Sequence, residues 1–201
     1  MKKIITIQHT ESVHHNNGMI GSLTDWELSE RGHQQAQRLA NRLAQTINSE
    51  KWKIYTSDLK RAYQTAEYLA KELDLSLQLQ PELRERDLGE AVGKSVEWFK
   101  ERLTPEKTVY DRLISTAESR SDKWKRLTPL VKAINESHEN NIVLVSHGDC
   151  LSIFYAIWLG LSVEDLTKIN LYGEPGGVSF LYDDGQKKSI RRLSDMSFVM
   201  D

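Results

Sequence analysis

The sequence is short of several things, and each shortage narrows the field. Cysteine occurs once, as Cys150, so an internal disulfide is impossible and a reducing compartment is the easier reading. No charge sign dominates: 27 Lys and Arg face 29 Asp and Glu, for a formal net charge of -2. Nucleic-acid and membrane surfaces usually carry a basic excess, so neither is expected as a partner. An anionic ligand would have to be met by a local cluster of positive groups. The first apolar run, Ile4-Ile5, soon meets Gln8 and His9, too early for a signal peptide or a membrane span. A cytoplasmic protein is therefore expected. There is no internal repeat, no low-complexity tract, and no His, Cys and carboxylate spacing of the kind that holds zinc. With 201 residues, the chain can bury a core as one domain, 1–201, without disulfides or metals.

What is present alternates between strand-like and helix-like stretches. Residues 3–8 form a β-branched run suited to a buried strand. Residues 9–28 lack a helical period and carry Asn16, Asn17, Gly18 and Gly21, so they read as a loop. Ser29 caps a helix whose apolar stripe is Ala36, Leu39, Ala40, Leu43 and Ile47. A second strand is expected at 53–56. Ser57 or Asp58 would cap the next helix, with Leu59, Ala62, Ala66, Leu69, Ala70 and Leu73 on one face. A third strand should lie near 75–79. Residues 94–121 are polar and include Pro105, and they read as a small cap insertion over one end of the sheet. Trp124, Leu127, Leu130, Val131 and Ile134 mark a further helix, and Ile142 to Val145 the clearest buried strand. The stretch Leu151 to Leu161 predicts a buried helix. Strands near 178–182 and 189–193 flank a turn at Asp183-Asp184-Gly185. The pattern predicts a three-layer α/β/α sandwich with a mostly parallel sheet and a closing hairpin.

Open α/β sheets bind ligands beyond the carboxyl ends of their strands. Three of the expected strands end in residues able to do chemistry: Gln8-His9-Thr10, Ser57-Asp58-Leu59-Lys60-Arg61 and Ser146-His147-Gly148. A fourth segment, Leu83 to Gly89, adds Glu85. Each residue has a plainer explanation: a buried histidine at a strand end, a helical Arg61 paired with Asp58 or Glu67, a solvated charge run around Glu85. Trp98 and Trp124 read as core or cap anchors, and the loop from Tyr172 to Gly177 as a connector. The neighbours His14 and His15 invite a metal reading. On an extended chain, however, adjacent side chains point opposite ways, so no metal is expected.

Taken together, the motifs resemble the histidine phosphatases, the phosphoglycerate mutase-like family. The family's Arg-His-Gly opening stands here as Gln8-His9-Thr10, followed by Glu11 and Ser12. Gly21, Asp25 and the run Leu28 to Ala36 match its next landmark. Ser57 to Ala66 carries Ser-Asp-Leu-x-Arg-Ala-x-Gln-Thr-Ala intact. Leu83, Glu85, Gly89 and Gly93 follow, and Val145 to Gly148 closes the series. The resemblance implies a phosphohistidine intermediate on His9, Glu85 as general acid, and Arg61 and His147 on the phosphate oxygens, with no cofactor. It also implies a phosphate site that takes in Gln8, Thr10, Ser12, His15 and Gly148. A neutral imidazole is a competent nucleophile, and phosphoryl transfer depends on positioning and charge stabilisation. An arginine fork meets two phosphate oxygens at once. The expected substrate is a small phosphorylated metabolite; a homodimer is compatible with the chain.

Two positions depart from the family. Gln8 replaces a charged bidentate donor, a loss of about 3 kcal/mol of transition-state stabilisation by the yardstick of one preorganised donor. Thr10 puts a β-branched side chain where a glycine stands, and its hydroxyl is a candidate phosphate donor. His14 or His15 is a candidate replacement for the missing charge, and Asn16, Asn17 and Trp26 are candidates to line the entrance. The alternative function is a weak or inactive member that binds a phosphorylated ligand or a protein partner. The short cap and the missing arginine argue against a phosphoglycerate mutase.

Overall fold

In the computed structural model, which describes residues 1–47 and 51–200, one six-stranded sheet is covered by helices on both faces. The elements run β1 (Lys2–Gln8), α1 (Glu30–Ile47), β2 (Lys53–Thr56), α2 (Lys60–Leu73) and β3 (Leu77–Leu79). They continue with α3 (Val96–Arg102), α4 (Arg120–Glu136), β4 (Asn141–Ser146), α5 (Gly148–Leu159), β5 (Val178–Asp183) and β6 (Lys188–Asp195). The sheet order is β3-β2-β4-β1-β5-β6. The first four are mutually parallel, and β5 and β6 are antiparallel additions joined as a hairpin.

The period-two alternation of strand side chains divides the core into two layers. Ile4, Ile142 and Leu144 face α4 and α5, among Leu127, Val131, Phe154 and Trp158. Ile5, Ile7, Val143 and Val145 face α1 and α2, among Leu39, Leu43, Ala62 and Leu69. β4 is apolar on both faces because helices cover both, as a central parallel strand requires. Burying a Leu or Ile of this kind contributes about 1.5–3 kcal/mol. Residues between α2 and α4 carry a small cluster of their own: Ala91, Ile114 and Ala117 pack with Leu88, Trp98 and Phe99. Trp124 packs against the main core. Among the described residues no helix is long and apolar enough to cross a membrane.

Local expectations needed three adjustments. β3 is shorter than 75–79, since Leu75 instead closes the end of α2 by donating to the Ala70 carbonyl. α5 begins at Gly148, directly after β4. Neither Ser57 nor Asp58 caps α2: the Asp25 carboxylate, from the loop before α1, accepts from the Lys60 N–H at 2.7 Å. Asp58 pairs with Arg84. Ser29 does cap α1, its hydroxyl accepting from the Gly32 N–H at 3.0 Å.

Candidate active site

Strand register brings the chemistry together. β1 and β4 run parallel with Gln8 opposite Ser146, so the next residues, His9 and His147, leave the sheet side by side. Their ring centroids are 5.1 Å apart. On the other side of β4, Thr56 lies opposite Val145, which delivers Ser57 to the same rim. Arg61, the second residue of α2, reaches the same point. Its Nε donates to His9 Nε2 at 3.3 Å, while its two terminal nitrogens donate to the carbonyls of Ser22 (2.6 Å) and Thr24 (2.8 Å). Those carbonyls fix the fork without neutralising it. Ser22 takes an unusual positive φ of 38° to present its carbonyl. Its hydroxyl donates to the Arg86 carbonyl and accepts from the Leu88 N–H, tying Arg61 to the segment that bears Glu85.

His9 is buried. Its Nδ1 lies 2.8 Å from the Thr10 carbonyl, which can only accept, so Nδ1 carries the proton and Nε2 the lone pair. Burial, then the Arg61 charge, hold its pKa well below the usual histidine range. His147 is held neutral for the same two reasons. Its Nε2 lies 2.9 Å from the Ser57 hydroxyl, and its buried Nδ1 has no partner among the described residues.

Glu85 occupies the start of α5. Its Oε1 accepts from the N–H groups of Arg86 (2.8 Å) and Cys150 (3.1 Å), and its Oε2 from Asp149 (3.3 Å). A helix N-terminus with no side-chain cap of its own thereby gains a carboxylate, the favourable sign there. The charged neighbours of Glu85 are spoken for elsewhere: Arg84 by Asp58, Arg86 by Glu106. From beneath, two residues of α4 hold this segment. Buried Lys123 donates to the carbonyls of Glu82 and Arg84, and Arg126 to those of Glu82 and Glu85.

The loop after β1 is not extended. Val13–His15 form a short 3-10 turn that aims both histidines at His9. The His15 ring is nearly parallel to that of His9 at 5.5 Å, and His14 lies 5.9 Å from it. Ser12 secures both: its hydroxyl is 2.6 Å from His14 Nδ1, and its N–H donates to His15 Nδ1. Burial and their mutual repulsion push His14 down to about 3, and burial followed by Arg61 lowers His15. Gly21 is needed beside them, since a Cβ there would sit 2.7 Å from His14 Nε2.

Other expectations are corrected. The Thr10 hydroxyl donates to the Gly32 carbonyl at 2.8 Å and its N–H to the Thr65 hydroxyl, so Thr10 anchors the loop and has no donor left for a phosphate. Ser12 is fully buried beneath the histidines. Asn16 bonds Glu11 and Trp26 bonds the Ile20 carbonyl, away from the cavity. The 172–177 loop is more than a connector: Tyr172 lines the cavity, and the Gly176 N–H donates to the carbonyls of Gln8 and His9.

The cavity measures about 480 Å³, and Gln8, His9, His14, His15, Arg61 and Glu85 line it. Its wall also holds residues with no part in the motifs: Glu106, Leu113, Arg120 and Asp149. Burial, then Glu85, push Asp149 up to about 6. Its place immediately after His147-Gly148 was the available signal. A larger hollow, about 680 Å³, lies against α2 and β3 and contains none of these groups.

The model of the histidine phosphatase superfamily, branch 1, matches residues 4–196. The chain is 31% identical to phosphoglycerate mutase-like protein 4 of Arabidopsis thaliana, over 98% of this chain and 86% of that one. It is 28% identical to phosphoserine phosphatase 1 of Hydrogenobacter thermophilus, over 96% and 92%. A mycobacterial glucosyl-3-phosphoglycerate phosphatase superposes with a TM-score of 0.81 at 22% identity, covering 96% of this chain and 99% of that one. With the fold, the ordered motifs and the family match in agreement, the chain belongs to the histidine phosphatase superfamily, branch 1.

Proposed function

We propose that this protein is a phosphatase that hydrolyses a small phosphomonoester through a phosphohistidine on His9. The observation that carries the reading is the pairing of a neutral, buried His9 Nε2 with the Arg61 Nε–H directed at it. In the proposed reaction, Nε2 attacks phosphorus in line with the ester oxygen. The P–O bond breaks as the N–P bond forms, and the leaving oxygen takes a proton from Glu85. A water then attacks the phosphohistidine, gives its proton to Glu85, and releases phosphate and free His9. Arg61 meets two phosphate oxygens, and the unpartnered His147 Nδ1 is available to a third. An incoming dianion raises the proton affinity of His14 and His15, which favours imidazolium there. The relatives named as phosphatases support this reading, and the cavity volume suits a small metabolite.

Gln8 supports one rival: a member that binds a phosphorylated ligand with little turnover, since Gln8 lines the site without charge. Hydrolysis of p-nitrophenyl phosphate and a panel of small phosphomonoesters by the wild type, with His9→Ala as blank, separates the two. His9-dependent turnover supports the phosphatase. Equal rates for both proteins, with phosphate still bound, support the binding role.

A further inference from the structure

Three buried side-chain atoms around the cavity lack a hydrogen-bond partner among the described residues: His147 Nδ1, Arg120 Nε and Asp149 Oδ2. The phosphate chemistry accounts for the first. The second lies 3.3 Å from Glu106 Oε2, close enough for an ion pair. Asp149 Oδ2 has neither explanation, and a buried carboxylate oxygen without a donor is costly to keep.

We propose that Asp149 selects the leaving group: its carboxylate receives an ammonium carried by the alcohol half of the substrate, so the preferred substrates are phosphomonoesters of amino alcohols. The inference rests on the phosphatase reading above. Position is the first argument. Asp149 is the second residue of α5, and its own N–H donates to Glu85 Oε2, the carboxylate proposed to protonate the ester oxygen. The nitrogen of a simple amino alcohol, three bonds beyond that oxygen, enters the part of the cavity that Asp149 lines. Charge is the second. The cations of the wall are already matched: Arg86 by Glu106 and the Glu118 carbonyl, Arg120 by Glu106 and the Leu166 carbonyl. A substrate carboxylate would have to displace Glu106, whereas an ammonium meets an acid whose Oδ2 no donor occupies among the described residues. A bound phosphate dianion adds further negative charge beside Glu85 and Asp149, which a cationic leaving group offsets. Tyr172 closes the side next to Gly148, and its ring is a further favourable surface for an ammonium.

The groups facing Asp149 are Glu85, which favours its protonated form, Arg86, Arg120 and Lys123, which oppose that, and the Tyr172 phenol. The acid is ionised above about pH 6, so selectivity for the amine should fade below that value.

The test is calorimetric titration of the intact protein with two non-hydrolysable, size-matched ligands, aminopropylphosphonate and butylphosphonate. At neutral pH the wild type should bind the amine tighter by roughly tenfold or more, a partly desolvated charge pair being worth about one decade. Asp149→Asn should bring the two within about threefold. In the wild type alone, the preference should shrink on going below about pH 6, a readout independent of whether the variant folds. No amine preference in the wild type, a preference that survives Asp149→Asn, or tighter binding of a carboxylate-bearing phosphonate would each overturn the inference. If these occur while His9-dependent hydrolysis of p-nitrophenyl phosphate persists, the phosphatase reading stands alone. If neither phosphonate binds and nothing is hydrolysed, both fall together.

Discussion

Restoring the family arginine by Gln8→Arg sets two effects of opposite sign against each other. The side chain at position 8 is buried, packed between Gly148 and Gly173 beside Tyr172. A guanidinium there is desolvated and stands in the same cavity as Arg61, whose pKa burial already lowers to about 10. Without an anion, two such charges repel, and stability should fall by about 1–2 kcal/mol, which for a chain of this size lowers Tm by roughly 2–8 °C. With a phosphoryl group between them, the second fork supplies a preorganised donor worth about 3 kcal/mol. After the cost of burying the charge, kcat/KM should rise by roughly tenfold to a hundredfold. The cycle with His15→Ala sharpens the argument. If His15 shares the phosphate with position 8, its removal should cost more with Gln8 present than in the Gln8→Arg background, a non-additive term of about 0.5–2 kcal/mol. Steady-state kinetics and thermal melts of the four proteins measure both quantities. A folded Gln8→Arg protein with unchanged or lower turnover would refute the claim that position 8 faces the phosphate. Additive effects would refute the compensating role of His15.

Glu85→Gln should slow alkyl phosphates by roughly a hundredfold or more, but p-nitrophenyl phosphate far less, because nitrophenolate leaves without a proton; equal losses on both would remove Glu85 as the acid. Lys123→Met should lower both stability, by about 1–3 kcal/mol, and turnover, since it frees carbonyls that hold the Glu85 segment while Arg126 retains part of that hold; urea melts and kcat together check it. Gly32→Ala should destabilise by about 1–3 kcal/mol although alanine is the better helix former by about 1 kcal/mol, because its Cβ would lie 1.8 Å from the Glu11 carbonyl oxygen. Acidification should destabilise the unliganded protein. The folded pKa values of His9, His14, His15 and His147 lie below the unfolded value, so the unfolded chain binds more protons as pH drops below about 6.5, at up to about 1.4 kcal/mol per pH unit for each. Asp149, raised, works the other way between its unfolded value and about 6 and offsets one of the four. Urea melts that are flat between neutral pH and pH 5 would show that these histidines are not neutral in the fold.

Local pattern made much of the fold legible. The four-residue apolar run at 142–145 announced a central strand, and the stripe from Ala36 to Ile47 a covering helix, because both are decided by burial of one periodic face. The meeting of His9, Arg61 and His147 was legible as strand-end chemistry, since parallel register carries carboxyl ends to a common rim. Contacts between segments distant in sequence were not. Asp25 rather than Ser57 or Asp58 serves α2, and Thr10 is satisfied by Gly32, through approaches that no local period encodes. Adjacent histidines on an extended chain would point apart, but the pair His14-His15 lies on a 3-10 turn where Ser12 bonds both rings, an arrangement no local period encodes. Glu106 and Arg120 reach the cavity from an irregular segment and a helix start, positions where sequence carries little directional information. Asp149 is visible in the sequence; the burial of its Oδ2 without a partner among the described residues marks it as unusual.

The central claim is that phosphoryl transfer passes through His9 Nε2. Rapid mixing with a phosphomonoester, quenching into base to preserve phosphoramidates, and peptide mass spectrometry test it directly. The account predicts one phosphoryl group on the peptide containing His9, present within a turnover in the wild type and absent in His9→Ala. Full turnover with no modified His9, or a phosphoryl group on His147, His14 or His15 instead, would contradict it.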